Sequence, residues 1–373
     1  MKLTCDRSAL VDKLAILARG VSTRSALPVL SGIMLQAQEG RLDLYSTDME
    51  LSIKASLSTS VEHAGEIVVP ARLFTDVVRN LPEEQVVIEA GEATVAITAG
   101  RAGFSLNIWS ASDFPQTSTF DTSGAFAIGR EPFVETLTKV GRAASRDETR
   151  PILTGVLMTI EGDTLKMVAT DSYRLAVKET KLGTVLEAEV QAIVPVKALG
   201  EVARLAAGMS DGDLEVAISE NQALFKLAGP TGDVWIASRL IDGQFPNYKQ
   251  LLPETFDHEV TLDRDAFMAA ARRVSLLAQK NAPLRLSFSE NKLTLKALTQ
   301  DVGQAEESLD IEFNGDAFEI GFNPAYLVDG IDAIEDAEVR LRFTTPLRPG
   351  LVSGAADGDG KFVYLIMPIR LNN

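Results

Sequence analysis

The sequence predicts an α+β protein built from three similar domains, and three observations predict it. First, one strand-turn-strand segment recurs at domain-sized spacing. It reads LPVLSGIMLQAQEGRLDLYSTDMELSI from Leu27, RPILTGVLMTIEGDTLKMVATDSYRLAV from Arg150 and, more weakly, APLRLSFSENKLTLKALTQD from Ala282. Pro28 and Pro151 lie 123 residues apart, as do Thr47-Asp48 and Thr170-Asp171, and Pro283 follows Pro151 by 132. Second, a block of strand end, Pro and amphipathic helix recurs in step at Pro70, Pro195 and Pro324. Third, the segments between alternate apolar and polar residues, as antiparallel strands with one face on a core do. A period of about 120 residues is far longer than a solenoid repeat and matches a domain.

Each copy opens with a helical stretch, at 6–20, 130–146 and 263–280. In the first, Leu10, Leu14 and Leu17 recur at helical spacing and mark one buried face. The strand pair follows, then the Pro-led helix, at 70–80, 195–207 and 324–336. Proline is tolerated at a helix start because first-turn N–H groups have no intrahelical partner. Strands such as VVIEA, TVAITA, DLEVAIS and ALFKLA complete the copies, which end at Phe114-Pro115, Phe245-Pro246 and Met367-Pro368. Boundaries fall near 123 and 254, and the absence of a long Gly/Ser or Pro-rich linker favours abutting domains.

Composition narrows the function. The single Cys5 allows neither an internal disulfide nor a cysteine zinc site, and it reads as a buried structural thiol. Charged residues interrupt the N-terminus, and the longest uncharged run, 25–38, contains Pro28 and is too short to span a bilayer. His63 and His258, the two histidines, read as solvated loop residues. There is no GxSxG elbow. The stretch GAADGDGK at 354–361 lacks Walker spacing and the calcium-loop glutamate, and reads as a Gly-rich hairpin turn. The recurrent Thr-Asp pairs read as structural turns, with Thr299-Gln300 in the third copy.

The net charge of −16 argues against a chain coated in basic residues. The first-helix windows, taken as 6–24, 130–146 and 263–280, run the other way, each at +2. In the first, Arg7, Lys13, Arg19 and Arg24 outweigh Asp6 and Asp12. That pattern suits either an ordinary solvated helix face or a weak, sequence-blind phosphate-contacting surface within an acidic body.

The strings MKLTCDRSAL, LPVLSGIML, VPARLF, ATDSYRLAV, QFPNYKQLLP, EIGFNPAYL and YLIMPIRL, in this order across the whole chain, resemble the bacterial DNA polymerase III β subunit, the sliding-clamp family. The resemblance implies a DNA-clamp fold with domains at 1–123, 124–254 and 255–373. Each would pack two helices on antiparallel sheets, and two chains would form a head-to-tail dimeric ring. It implies no catalytic residue, cofactor or metal: a cytoplasmic, replisome-associated processivity factor that touches no membrane. The implied partners are a second copy and double-stranded DNA of any sequence. Through short linear peptides, it would also meet the replicative polymerase α subunit, the clamp loader, translesion polymerases and mismatch-repair proteins.

Carried over by matching position, the family's peptide pocket comprises Leu153, Thr170, Ser172, Tyr173, Arg174, Leu175, Pro246, Gln250 and Leu251. The third domain adds Asn323, Tyr326, Leu347, Leu365, Ile366, Met367, Pro368, Ile369, Arg370 and Leu371. The family's DNA-facing positions fall on Arg24, Arg72, Arg142, Arg146, Arg150 and Lys197, and its dimer seam on Arg101, Phe104, Leu106, Leu276 and Leu277. Asn372 and Asn373 extend past the end common among relatives and would crowd the pocket mouth. Two readings of another class compete: an enzyme with a dispersed site, disfavoured by sparse His and Cys, and a scaffold that never meets DNA, disfavoured by the basic first helices.

Overall fold

The structure is a computed structural model. It describes residues 1–22, 26–115, 120, 122, 124–208, 212–229, 231–278, 282–300, 302–356 and 362–371. Arg24, Lys280, residues 357–361 of the turn expected at 354–361, and Asn372–Asn373 therefore lie outside the described residues.

Among the described residues six α-helices form: α1 (Arg7–Leu17), α2 (Ala71–Arg79), α3 (Arg130–Gly141), α4 (Val196–Ala207), α5 (Arg264–Ser275) and α6 (Pro324–Asp332). Local chemistry sets their starts. Asp6 Oδ1 accepts from the Ala9 N–H and Asp263 Oδ1 from the Ala266 N–H, each at 2.8 Å, so orphan first-turn donors are satisfied. Pro70 ends a strand and caps α2, and Pro324 is the first residue of α6. The first helices are shorter than the periodicity predicts. Past Leu17, Val140 and Arg273, each chain tightens into bonds to the third residue back, as in Gly20 N–H to Leu17 O and Leu277 N–H to Val274 O.

The chain divides into two compact units, Met1–Phe133 with Lys197–Leu240, and Val134–Val196 with Ile241–Asn373. The division cuts through the middle copy because sheets run continuously across the copy boundaries. In the first unit, strands 60–63, 2–6, 85–90, 94–99 and 102–107 form one sheet in that order. A second, eight-stranded sheet orders 126–129, 213–218, 222–227, 234–239, 51–58, 41–47, 32–38 and 65–70. Its central joint is antiparallel, with Trp235 opposite Lys54 and Ala237 opposite Ser52.

In the second unit, strands 155–170, 174–195, 362–366, 350–354, 338–343 and 258–263 form a six-stranded sheet. Strands 303–310, 292–299, 284–289 and 318–322 form a four-stranded one. The joint between copies repeats here, with Arg174 opposite Ile366 and Leu175 opposite Leu365. Fully buried Leu10, Leu14 and Leu17 of α1 and Phe267 of α5 seat the helices on their sheets.

Two basic residues counted in the first-helix windows are not surface charges. Lys13 is buried, and its ammonium donates to Gly232 O at 2.6 Å; burial lowers its pKa. Arg130 is buried as well and donates to Ala228 O at 3.0 Å. The +2 of those windows overstates what solvent meets, because an ammonium or guanidinium inside a fold must be spent on a protein acceptor. Cys5 is buried too, its thiol pushed up to about 12 chiefly by desolvation, which suits the inert role expected.

Candidate peptide-binding site

The expected pocket residues all fall in the second unit, and short-range bonds shape their centre. Thr170 Oγ1 donates to Arg174 O at 2.7 Å and accepts from the Ser172 N–H at 3.2 Å. Asp171 Oδ1 accepts from the N–H groups of Tyr173 and Arg174, at 2.9 and 3.0 Å. These bonds hold Ser172 at φ +80° and leave the Tyr173 side chain 60% exposed. The Thr47-Asp48 pair accepts the same three backbone N–H bonds around Met49 at φ +78°, while Thr47 Oγ1 pairs with the Ser52 hydroxyl instead, so the Thr-Asp pairs are turn formers. In the third copy, Thr299 instead donates to Leu277 O.

Arg174 organises the wall. Its Nε donates to Asp171 Oδ2 at 3.0 Å, and its Nη1 to Asp329 Oδ2 and, at 3.1 Å, to the Tyr364 hydroxyl. Its guanidinium lies 4.4 Å from the centroid of the Tyr326 ring. Burial works against this charge, but Tyr364, Asp329 and Asp171 outweigh it and raise the pKa further. Burial likewise pushes the Tyr364 phenol up, against the pull of Arg174. Asn323 supports the same wall from α6, where its Oδ1 accepts from the Ala325 and Tyr326 N–H groups at 2.9 and 3.3 Å. Arg174 and Asn323 thus position the wall, while Tyr173 and Tyr326 present its surface.

The floor is apolar. Leu175 and Leu365 pair across the joint between strands and pack with Leu157, Val168, Val177, Ile193, Phe245 and Tyr248. Leu153 and Ile366 are buried beside it. Pro246 is exposed and its carbonyl accepts from the Tyr248 N–H at 2.7 Å; Tyr248 anchors the short turn whose far end exposes Gln250 and Leu251. The tail closes one side: the Met367 N–H donates to Tyr173 O and the Ile369 N–H to Gly321 O, each at 2.8 Å. A Cβ on Gly321 would stand 2.6 Å from the Leu371 side chain and 3.3 Å from Ile369 O. Pro368 is half-buried and Arg370 exposed along this tail. Leu347 is exposed on the loop leading into strand Gly350–Gly354.

The sequence reading missed Asp329 and Tyr364 as parts of this wall, and Phe245 and Tyr248 as parts of its floor. One signal was present: Asp329 stands three residues after Tyr326 on α6, hence on the same helix face.

Among the DNA-facing candidates, Arg72 opens α2 fully exposed, 4.0 Å from Asp76, and Lys197 lies exposed in the first turn of α4, 3.4 Å from Asp48. Arg146 is exposed, and Arg150 pairs with Asp147 at 2.9 Å. Arg142 differs: its guanidinium donates to Thr138 O, Asp329 O and Asp332 Oδ2 at 3.1, 2.9 and 3.2 Å, which commits it to α3 and α6. Of the seam candidates, Phe104 and Leu106 lie on the outer strand Ala102–Asn107, with Arg101 just before it. Leu276 and Leu277 lie in the turn after α5, with Leu276 81% exposed. Among the described residues no group of His, Cys, Asp and Glu is placed to hold a metal, and no helix is long and apolar enough to cross a membrane.

Three domain families match in series: the N-terminal domain of the DNA polymerase III beta subunit over residues 1–118, its central domain over 127–247 and its C-terminal domain over 249–370. The beta sliding clamp of Streptomyces coelicolor is 36% identical over 380 residues, and that of Synechococcus elongatus 34% over 381, each covering 100% of both chains. The fold superposes on the sliding clamp from Bacillus subtilis with a TM-score of 0.94 at 30% identity, covering 100% of both chains. It also superposes on the Pseudomonas aeruginosa sliding clamp bound to griselimycin, with a TM-score of 0.91 at 32% identity and 100% of both chains covered. A threefold internal repeat, sheets that run through its boundaries and full-length likeness in both sequence and fold agree: the chain belongs to the DNA polymerase III β-subunit family, the bacterial sliding clamps.

Proposed function

We propose that two copies close head to tail into a ring around duplex DNA, in which the chain acts as the non-catalytic processivity subunit of DNA polymerase III. The observation that carries this reading is the repeated joint between copies. The strand after each Thr-Asp turn pairs with a strand of the next copy: 51–58 with 234–239, then 174–195 with 362–366. The corresponding third-copy strand, 303–310, lies at the edge of its sheet, as does 102–107 in the first copy. A third joint of the same kind between two chains would satisfy both edges twice in a closed C2 dimer. Unpaired edges invite such pairing. Apolar Phe104 beside one edge, and Leu276, Leu298 and Val302 beside the other, are exposed in the single chain. We place the domain boundaries near 123 and 254.

Arg24, Arg72, Arg146, Arg150 and Lys197 supply weak phosphate contacts that permit sliding, while strong ones would act as a brake. Arg142 is better read as a brace between α3 and α6. The groove over Leu175 and Leu365 takes short linear peptides, an apolar side chain on the floor and polar contacts at the rim. Its partners are the polymerase α subunit, the clamp loader, translesion polymerases and mismatch-repair proteins, met in the cytoplasm at the replisome. The test is topological. Loaded on nicked circular DNA by a clamp loader, the protein stays bound through gel filtration and departs when the circle is cut. Equal loss from circle and linear DNA would sink encirclement.

A further inference from the structure

The sheet face that carries the floor of the peptide groove continues past it and changes character. Leu157, Val168 and Val177 belong to the apolar cluster of Leu175 and Leu365, and strand alternation puts the residues two positions further on upon the same face. These are Thr159 after Leu157, Lys166 before Val168 and Glu179 after Val177. Register agrees, with Val168 opposite Val177 and Lys166 opposite Glu179. One more step brings Glu161 and Thr164. The strand pairing is irregular between them, at Gly162, which holds φ +59°.

These five polar side chains line an open cavity of about 230 Å³. Within it Lys166 and Glu179 pair at 2.9 Å, and the hydrogen bond to Glu179 raises the lysine's pKa, so this ammonium stays charged and paired. Glu161 is exposed, and among the described residues its carboxylate has no hydrogen-bond or ion-pair partner. The lining therefore carries one uncompensated negative charge. Tyr248 connects cavity and groove. Its side chain is buried in the apolar cluster, and its phenol, pushed up first by burial, also lies in the field of Lys166, Glu179 and Glu161.

We propose that this cavity seats one basic side chain of the bound peptide, which pairs with Glu161 while the peptide's apolar anchor occupies the groove over Leu175 and Leu365. The proposal rests on the reading of that groove as a peptide site and adds a charge preference to it. A free carboxylate flanked by threonine hydroxyls disfavours an apolar side chain and offers a cation charge-assisted bonds. Leu175 and Glu179 are four residues apart on one strand, about 13 Å. An extended peptide covers that span in about four residues, so the basic residue stands about four positions from the anchor. Two sites of opposite character on one face, one apolar and one acidic, select partners by a difference in affinity that neither supplies alone.

The experiment titrates the full-length protein by calorimetry with the clamp-binding segment of the polymerase α subunit, carried on Gly-Ser flanks. One lysine or one serine is placed four positions before or after the apolar anchor. At one of the two positions the lysine peptide should bind about three- to tenfold tighter than its serine counterpart, and added salt should shrink that ratio. In Glu161→Gln the ratio should fall to near one. In Glu290→Gln, which removes an exposed carboxylate from the turn between strands 284–289 and 292–299, it should persist. Equal binding of lysine and serine peptides at both positions overturns the basic seat. So does a lysine preference that survives Glu161→Gln, because it would then come from the acidic surface at large. Failure of every peptide, serine forms included, overturns the groove itself, and the seat with it.

Discussion

Arg174 shows how the fold gives a task to a residue that sequence alone can only place. Sequence similarity places it in the pocket. The structure turns its guanidinium inward, against Asp171, Asp329, Tyr364 and the Tyr326 ring, so it braces the wall of the proposed peptide groove. Lysine cannot reproduce a planar fork that bonds and stacks together. Arg174→Lys should therefore lower peptide affinity about tenfold and destabilise the protein by roughly 1–3 kcal/mol, the scale of a lost charge-assisted hydrogen bond. Calorimetry and thermal melts check both, and an unchanged affinity would make the residue irrelevant to the site. Lys13 carries the same lesson. It counts as a surface charge in the sequence, but its buried ammonium is used up on the Gly232 carbonyl.

At the scale of elements, the groove depends on a tail with no regular structure of its own. Met367 to Leu371 is held by two backbone bonds, to Tyr173 and to Gly321, on either side of Pro368. Gly321 is required because a Cβ there would press on Leu371 from 2.6 Å, with Pro283 3.2 Å away on another side. Gly321→Ala is expected to loosen the tail. Amide exchange at Ile369 should quicken and peptide binding should weaken several-fold, while the far ends of the sheets keep their protection. Deleting Met367 to Asn373 should abolish peptide binding and spare the dimer, as peptide titration and light scattering would read. Unchanged peptide affinity after the deletion would reject the pocket assignment.

For the whole molecule, the decisive feature is an imbalance of edges. Two joints between copies are closed within one chain, and the two strands that would make a third, 102–107 and 303–310, are left at sheet edges. Two chains meeting there should give a dimer of about twice 40.2 kDa. Phe104→Arg places a charge on that edge, where it would have to be buried without a partner. Sedimentation at micromolar concentration should then show mostly monomer, with thermal melting of the monomer little changed. A dimer that survives the substitution would move the seam elsewhere. Loss of retention on nicked circles by the same variant would tie the seam to encirclement.

The sequence by itself determined the threefold repeat, the helix positions, the strand alternation and the roles of the Thr-Asp turns. These depend on local spacing and on bonds between residues two to four apart, so periodicity and turn chemistry carry them directly. Family likeness also put Leu175 and Leu365 together, and they pair across adjacent strands. Only the tertiary structure decided which charges are spent inside. Lys13, Arg130 and Arg142 meet carbonyls or carboxylates between 98 and 219 residues away, and composition holds no record of such partners. It likewise decided that Asp329 and Tyr364 stand behind Arg174. A side chain's task depends on what the fold brings against it, and contacts between residues a hundred positions apart exist only once the sheets have closed.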